Sequence, residues 1–204
     1  MSANELVLVR HGATQWSPAG RHTGTTDLPL SVAGTAQARS VGNWLSRQLC
    51  QPDGDFGRLS DHICSPMLRT RETASVLELA GAPRARIVSE LAEFDYGEYE
   101  GLTLAEIVKR NPKWSIWQEG CPGGETFASF VSRISGVVEG QSLREGRHLV
   151  TAHSHVLRVL ALNYLGLDPA LGQHFELRPG SVSVLRRDSR HARVVLWNLA
   201  PPRG

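Results

Sequence analysis

The chain is poor in cysteine, with Cys50, Cys64 and Cys121 as its only thiols in 204 residues. An odd number at wide spacing forms neither a disulfide framework nor a CxxC metal or redox motif, and it fits a reducing compartment. Charge of one sign is also lacking: 22 Lys and Arg against 20 Asp and Glu leave +2. No basic run stands out, so nucleic acid is not the expected partner. No apolar stretch approaches the ~20 residues that cross a bilayer. Leu6–Val9, after five residues without an apolar run, is too short for a signal-peptide core. The expectation is a cytoplasmic protein that binds no membrane. Internal repeats, low-complexity segments and linkers are absent too, so residues 1–204 are read as one domain. With 41% apolar and 21% charged residues, the chain has enough material for a core of its own.

What is present is an alternation of short apolar runs and helical stretches. Leu6-Val-Leu-Val9 has no polar alternation, as in a strand buried on both faces. Ser31 caps a helix to about Leu49, with Val32, Ala36, Val41, Trp44, Leu45 and Leu49 roughly at helical spacing. Asp61–Cys64 reads as a strand, and Pro66 opens a helix that runs toward Gly81. Arg86–Val88 is a third short strand. Leu104–Arg110 and Thr126–Glu139 are helices, His148–Ala152 is a strand, and a further helix runs from about Val156 to Leu165. Val182–Arg187 and Val194–Leu199 close the pattern as a strand pair. Gln51–Gly57 is a surface loop and Ala200–Gly204 a loose end. The implied architecture is α/β, a three-layer sandwich whose mainly parallel central sheet carries helices on both faces.

Chemistry-bearing residues collect where strands end, the place at which open α/β sheets bind ligands. Arg10-His11-Gly12 follows the first strand, and Gly12 permits a sharp turn and a close approach. Ser65-Pro66-Met67-Leu68-Arg69 opens a helix, and an Arg in a first turn opposes the helix dipole unless it faces an anion. Arg71 points elsewhere, onto a solvated face. Thr151-Ala-His153-Ser154-His155 follows another strand. Its two histidines share a face if the strand continues and diverge if it ends at Ala152. Glu93, Asp95, Glu98 and Glu100 crowd one loop, and any of them is open to a general-acid role. Arginine forks suit phosphate oxygens, and nearby arginines keep an imidazole neutral and nucleophilic. A carboxyl group of raised pKa protonates a leaving oxygen. Together these groups describe phosphoryl transfer through a phosphohistidine without a metal.

In their order along the chain, these motifs resemble the histidine phosphatase (phosphoglycerate mutase-like) superfamily across nearly the whole sequence. The resemblance implies His11 as nucleophile, Arg10, Arg69 and His153 as the rest of a phosphate pocket, and Glu93 as proton donor. It also implies that Ser17, Tyr96 and His155 contact the leaving group, that Thr23 and Gly24 line the entrance through backbone donors, and that neither metal nor other cofactor takes part. Trp16-Ser17, Gly20–Gly24, Tyr96–Gly101 and Ala152–His155 are similar to the branch of sedoheptulose-1,7-bisphosphatase and bacterial acid phosphatases. That likeness implies phosphomonoester hydrolysis on a small phosphorylated metabolite, a sugar phosphate in the first place, with a homodimer left open. The alternative is a cofactor-primed phosphoglycerate mutase. Mutases usually carry Asn, Lys and an Arg-Arg pair where Ser17, Leu104 and Gln118-Glu119 stand here, and the loss of those cations, with a negative charge in their place, favours hydrolysis. A metal hydrolase built on His11, His22, His153 and His155, and a non-catalytic phosphate sensor, rank below both. Residues 102–126 are expected to form a small lid over the site.

Overall fold

The computed structural model describes residues 4–49, 59–140, 143 and 146–202. Strands β1 (Asn4–Arg10), β2 (Asp61–Cys64), β3 (Arg86–Ile87), β4 (Arg147–Ala152), β5 (Val182–Arg187) and β6 (Ala192–Leu199) form one sheet in the order β3-β2-β4-β1-β5-β6. The first four are mutually parallel, and β5 is antiparallel to both β1 and β6. Helices α1 (Val32–Leu49), α2 (Leu68–Leu79), α3 (Leu104–Arg110), α4 (Phe127–Glu139) and α5 (Ser154–Leu165) surround it. The expected α/β fold with a mainly parallel sheet is the one found. Cys50 and the loop 51–57 lie outside the described residues, as do the last two residues of the tail.

The unbroken apolar run of β1 follows from its position. Leu6 and Leu8 face one core with α4 and α5, whereas Val7 and Val9 face a second core with Val41, Leu45 and Leu77 of α1 and α2. Successive strand residues point to opposite faces, so a central strand between two helical layers must be apolar throughout.

Ser31 caps α1 by accepting from the Gly34 N–H at 3.1 Å, and its hydroxyl donates to the Ala13 carbonyl, which ties the helix to the turn after β1. Val32, expected on the buried face, is 91% exposed. At about 100° per residue it lies half a turn away from Val41, which points inward. The structure also starts α5 at Ser154, two residues before the expected position, so β4 ends at Ala152 and His155 belongs to a helical first turn. Among the described residues no helix is long and apolar enough to cross a membrane.

Candidate active site

Three parallel strands end side by side, and the loops that follow them carry the candidate groups. His11 comes directly after β1 and is tied to β4 by its N–H to the Ala152 carbonyl at 3.1 Å. The chain turns there at Gly12, where a Cβ would come within 2.2 Å of the Gly34 carbonyl oxygen, so only glycine fits. Ser65 follows β2, and Arg69 lies in the first turn of α2. His153 follows β4 and His155 opens α5.

The His11 tautomer can be read from its contacts. Nδ1 lies 2.7 Å from the Gly12 carbonyl oxygen, which can only accept, so Nδ1 carries the hydrogen and Nε2 the lone pair. Burial, then the charges of Arg10 and Arg69, push the imidazole down to about 3, so it is neutral at ordinary pH. Arg10 donates from Nη1 to the Leu177 carbonyl, while its buried Nε has no partner. Burial lowers the Arg10 guanidinium to about 10, and it remains a cation at neutral pH.

The His153 ring lies 5.1 Å from the His11 ring, edge to face. Arg69 Nε donates to His153 Nδ1 at 3.3 Å, which leaves the His153 Nε2–H to donate to Ser65 Oγ at 2.7 Å. The remaining Arg69 nitrogens donate to the carbonyls of Thr23, Gly24 and Thr26, each at 3.0 Å. Both residues are fully buried.

Glu93 lies against the start of α5. Its oxygens accept from the N–H groups of Phe94 at 3.1 Å, His155 at 3.3 Å and Val156 at 3.4 Å. Burial pushes this carboxyl up, but the interactions with His155, His153 and the Phe94 N–H outweigh it and hold the group well below the usual carboxylate range. The raised pKa expected of a general acid is therefore not found. Amides at a helix start favour the charged form. Tyr96 Oη and His155 Nδ1 are 2.8 Å apart.

A cavity of about 170 Å³ opens over these groups, lined by Arg10 and His11, Glu93 and Tyr96, Ser154 and His155, and by Thr14, Ser17 and the segment Gly20–Thr23. The sequence model of the histidine phosphatase superfamily (branch 1) matches residues 6–200. The chain belongs to that superfamily. It is 37% identical over 187 residues to a protein named acid phosphatase from Mycobacterium tuberculosis, which covers 89% of this chain and 85% of that one. It is 35% identical over 186 residues to sedoheptulose 1,7-bisphosphatase of Saccharomyces cerevisiae, which covers 79% of this chain and 67% of that one. A solved structure for the open reading frame Rv3214 of Mycobacterium tuberculosis superposes with a TM-score of 0.84 at 32% identity, covering 98% of this chain and 99% of that one. This histidine phosphatase is accordingly a phosphoric monoester hydrolase.

Of the residues expected in the site of this phosphatase, Arg10, His11, Ser17, Thr23, Glu93, Tyr96 and His155 line the cavity. Arg69 and His153 do not, because they form a buried layer behind His11. Gly24 also lies off the cavity wall, and its N–H is held by both oxygens of Glu100 at 3.0 Å, so it is no free donor at the entrance. His153 and His155 diverge because the strand ends at Ala152, before both, and the helix begins at Ser154. Leu104, Gln118 and Glu119 are exposed and line no part of the cavity, so the charge of Glu119 does not fall where a substrate anion would sit. Residues 102–126 contribute none of the lining either. They touch the site from behind through Trp117, whose ring centre lies 5.2 Å from that of His155. Among the described residues no group of three or more His, Cys, Asp or Glu is arranged to hold a metal ion.

Sequence reasoning did not assign Thr14 or Arg21 to the cavity of this histidine phosphatase, and it weighed His22 only as a metal ligand. The signal for Arg21 was its place inside the segment Gly20–Gly24, which it shares with His22. Their place on the cavity wall depends on pairing with a distant segment: Arg21 bridges to Thr103, and His22 Nδ1 donates to the Leu102 carbonyl at 3.0 Å.

Proposed function

We propose that this phosphatase hydrolyses small phosphate monoesters, sugar phosphates first among them, without a metal and through a phosphohistidine on His11. The reading rests on one observation: a neutral imidazole, with its Nδ1–H held by the Gly12 carbonyl and its Nε2 lone pair free, beside an Arg10 whose buried Nε lacks an acceptor. A phosphoryl oxygen supplies the acceptor that Arg10 Nε lacks, and the phosphorus then lies within reach of Nε2.

In the first step the Nε2 lone pair forms the N–P bond as the P–O bond to the leaving group breaks, and Glu93 delivers its proton to the departing alkoxide. In the second, Glu93 removes a proton from a water that attacks phosphorus, and the N–P bond breaks to release phosphate and the neutral ring. The hydrogen bonds of Glu93 favour its charged form, and the negative charge of a phosphate dianion beside it raises its pKa so that it can carry the proton. Arg69 adds positive field from behind His11, and His153 fixes the ring beside it. Ser17, Thr23, Tyr96 and His155 surround the leaving group. Residues 1–204 act as one domain in this reading, with 102–126 supporting the site from behind through Trp117 and not as a lid over it.

Supporting the sugar-phosphate assignment are a polar cavity wall and the sugar bisphosphate named as the substrate of the yeast relative. The direct test is a rapid alkaline quench after mixing with a 32P-labelled sugar phosphate, because phosphohistidine survives alkali. Label on the wild-type chain, and none on His11→Ala together with loss of turnover, is the expected outcome. Turnover above ~10% of wild type in His11→Ala contradicts a covalent route through this residue.

A further inference from the structure

Glu100 lies in the acidic loop from Glu93 to Glu100 but does not line the cavity. It is nevertheless bonded to the chain that supports it. Its Oε1 accepts from the N–H groups of Gly24 and Thr26, and its Oε2 accepts from Gly24 as well, all at 3.0 Å. The same short segment offers its carbonyls in the other direction, where Thr23, Gly24 and Thr26 accept from the Arg69 guanidinium. The segment is thus held between a carboxylate on its N–H side and a guanidinium on its C=O side, with the peptide dipoles oriented favourably for both. Gly24 is needed for the clamp to close. A Cβ there would come within 2.3 Å of the Phe94 carbonyl oxygen and 2.8 Å of Glu100 Oε2.

We propose that Glu100 is a positioning residue for the phosphate pocket, acting through the backbone of residues 23–26 on Arg69, and through Arg69 Nε on His153 beside the nucleophile. Three links carry the effect: carboxylate to backbone amides, backbone carbonyls to guanidinium, and guanidinium to His153 Nδ1 at 3.3 Å. Glu100 itself touches neither the cavity nor the nucleophile; the effect reaches the site through Arg69, the His153 ring beside His11, and Thr23. Without the carboxylate, the segment loses the acceptor that orders its amides, and the carbonyl fork that aims Arg69 loosens. Thr23, which does line the cavity, moves with it.

The proposal rests on the reading of the cavity as a phosphate site, and the test separates the two. Binding of inorganic phosphate, measured by calorimetry, and kcat/KM on a phosphate ester are compared in the wild type, Glu100→Ala, Glu100→Gln, Arg69→Lys and the double variant Glu100→Ala with Arg69→Lys. Glu100→Ala is expected to lose on the order of 10–100-fold in kcat/KM and to bind phosphate more weakly. Glu100→Gln, which keeps an oxygen where Oε1 accepts both amides, recovers most of that loss. In the Arg69→Lys background the removal of Glu100 costs far less than it does alone, because both changes break the same path. A general loss of packing would instead give independent, multiplying effects, and that result overturns the proposal, as does a Glu100→Ala enzyme with wild-type phosphate binding and turnover. If the wild type itself fails to bind phosphate, the reading of the site falls first. Should Glu100→Ala fail to fold, the Gln variant alone and on the Arg69→Lys background supplies the same comparison.

Discussion

Glu93 accepts two amide hydrogen bonds at the start of α5 and a third from Phe94, an arrangement that makes it a better base than acid until a dianion is bound beside it. Its contribution therefore depends on how much the leaving group needs a proton. Sugar alkoxides need one, whereas phenolates with strongly withdrawing substituents leave unaided. Glu93→Gln should slow hydrolysis of sugar phosphates by about 100-fold or more, and that of nitrophenyl phosphate by less than about 10-fold. Steady-state rates on the two substrates make the comparison, and equal slowing of both would remove Glu93 from the proton-donor role. The residue could not be picked from its acidic neighbours by spacing. What distinguishes it is the approach of helix α5 from 62 positions further along the chain, seen in its bond with the His155 N–H.

Helix α1 shows how an element can serve the site without contributing to it. Its first turn is pressed onto the turn that follows β1. A Cβ on Gly34 would come within 2.0 Å of the Ala13 carbonyl oxygen, and one on Gly12 within 2.2 Å of the Gly34 oxygen, with backbone on both sides and nothing free to yield. Gly34→Ala is therefore expected to lower stability by about 1–3 kcal/mol or more. Ser31→Ala, which removes the cap on the Gly34 N–H and the bond to the Ala13 carbonyl but adds no atom to the contact, is expected to lower it by ~1 kcal/mol. Urea unfolding of the two variants measures both, and a Gly34→Ala midpoint equal to that of the wild type would contradict this packing. The start of α5 was harder to read. His153-Ser154-His155 shows no apolar periodicity, and His153 makes no side-chain cap, so neither of the two signals that mark a helix start is present there.

At the scale of the whole molecule, the site gathers several histidines held neutral by the fold. Burial is the first cause in each: His11 is pushed down to about 3, His155 to about 4, His153 well below its usual range, and His62, bonded to Thr151 and the Pro83 carbonyl, is lowered too. An unfolded chain takes up protons on these rings as pH falls through ~6.5, and the folded chain refuses them. The unfolded state then binds more protons, so stability rises with pH in this window and is lost as pH falls from about 6.5 toward 4. The lowered carboxyl of Glu93 adds to the same trend nearer its own unfolded value. Urea midpoints should hold between pH 8 and about pH 7 and fall from about pH 6.5 to pH 4, and that fall should be shallower in His11→Ala, which removes one of the refused protons. An unchanged slope in that variant would show that His11 is not buried as a neutral ring.

The sequence by itself determined the layers and the inventory. Apolar runs without alternation require strands covered on both faces, helical spacing and caps locate most helices, and Arg, His and Glu at strand ends mark phosphate chemistry, because these signals are local and survive in any arrangement of the chain. Tertiary structure alone decided which groups meet. It set Arg69 and His153 behind the nucleophile, gave the amide of Gly24 to Glu100, brought Arg21 and His22 to the cavity wall and lowered Glu93 by placing it against α5. Each of these outcomes depends on segments far apart in the chain whose separation is set by the packing of the sheet and helices, and burial and hydrogen bonding act only once that packing exists.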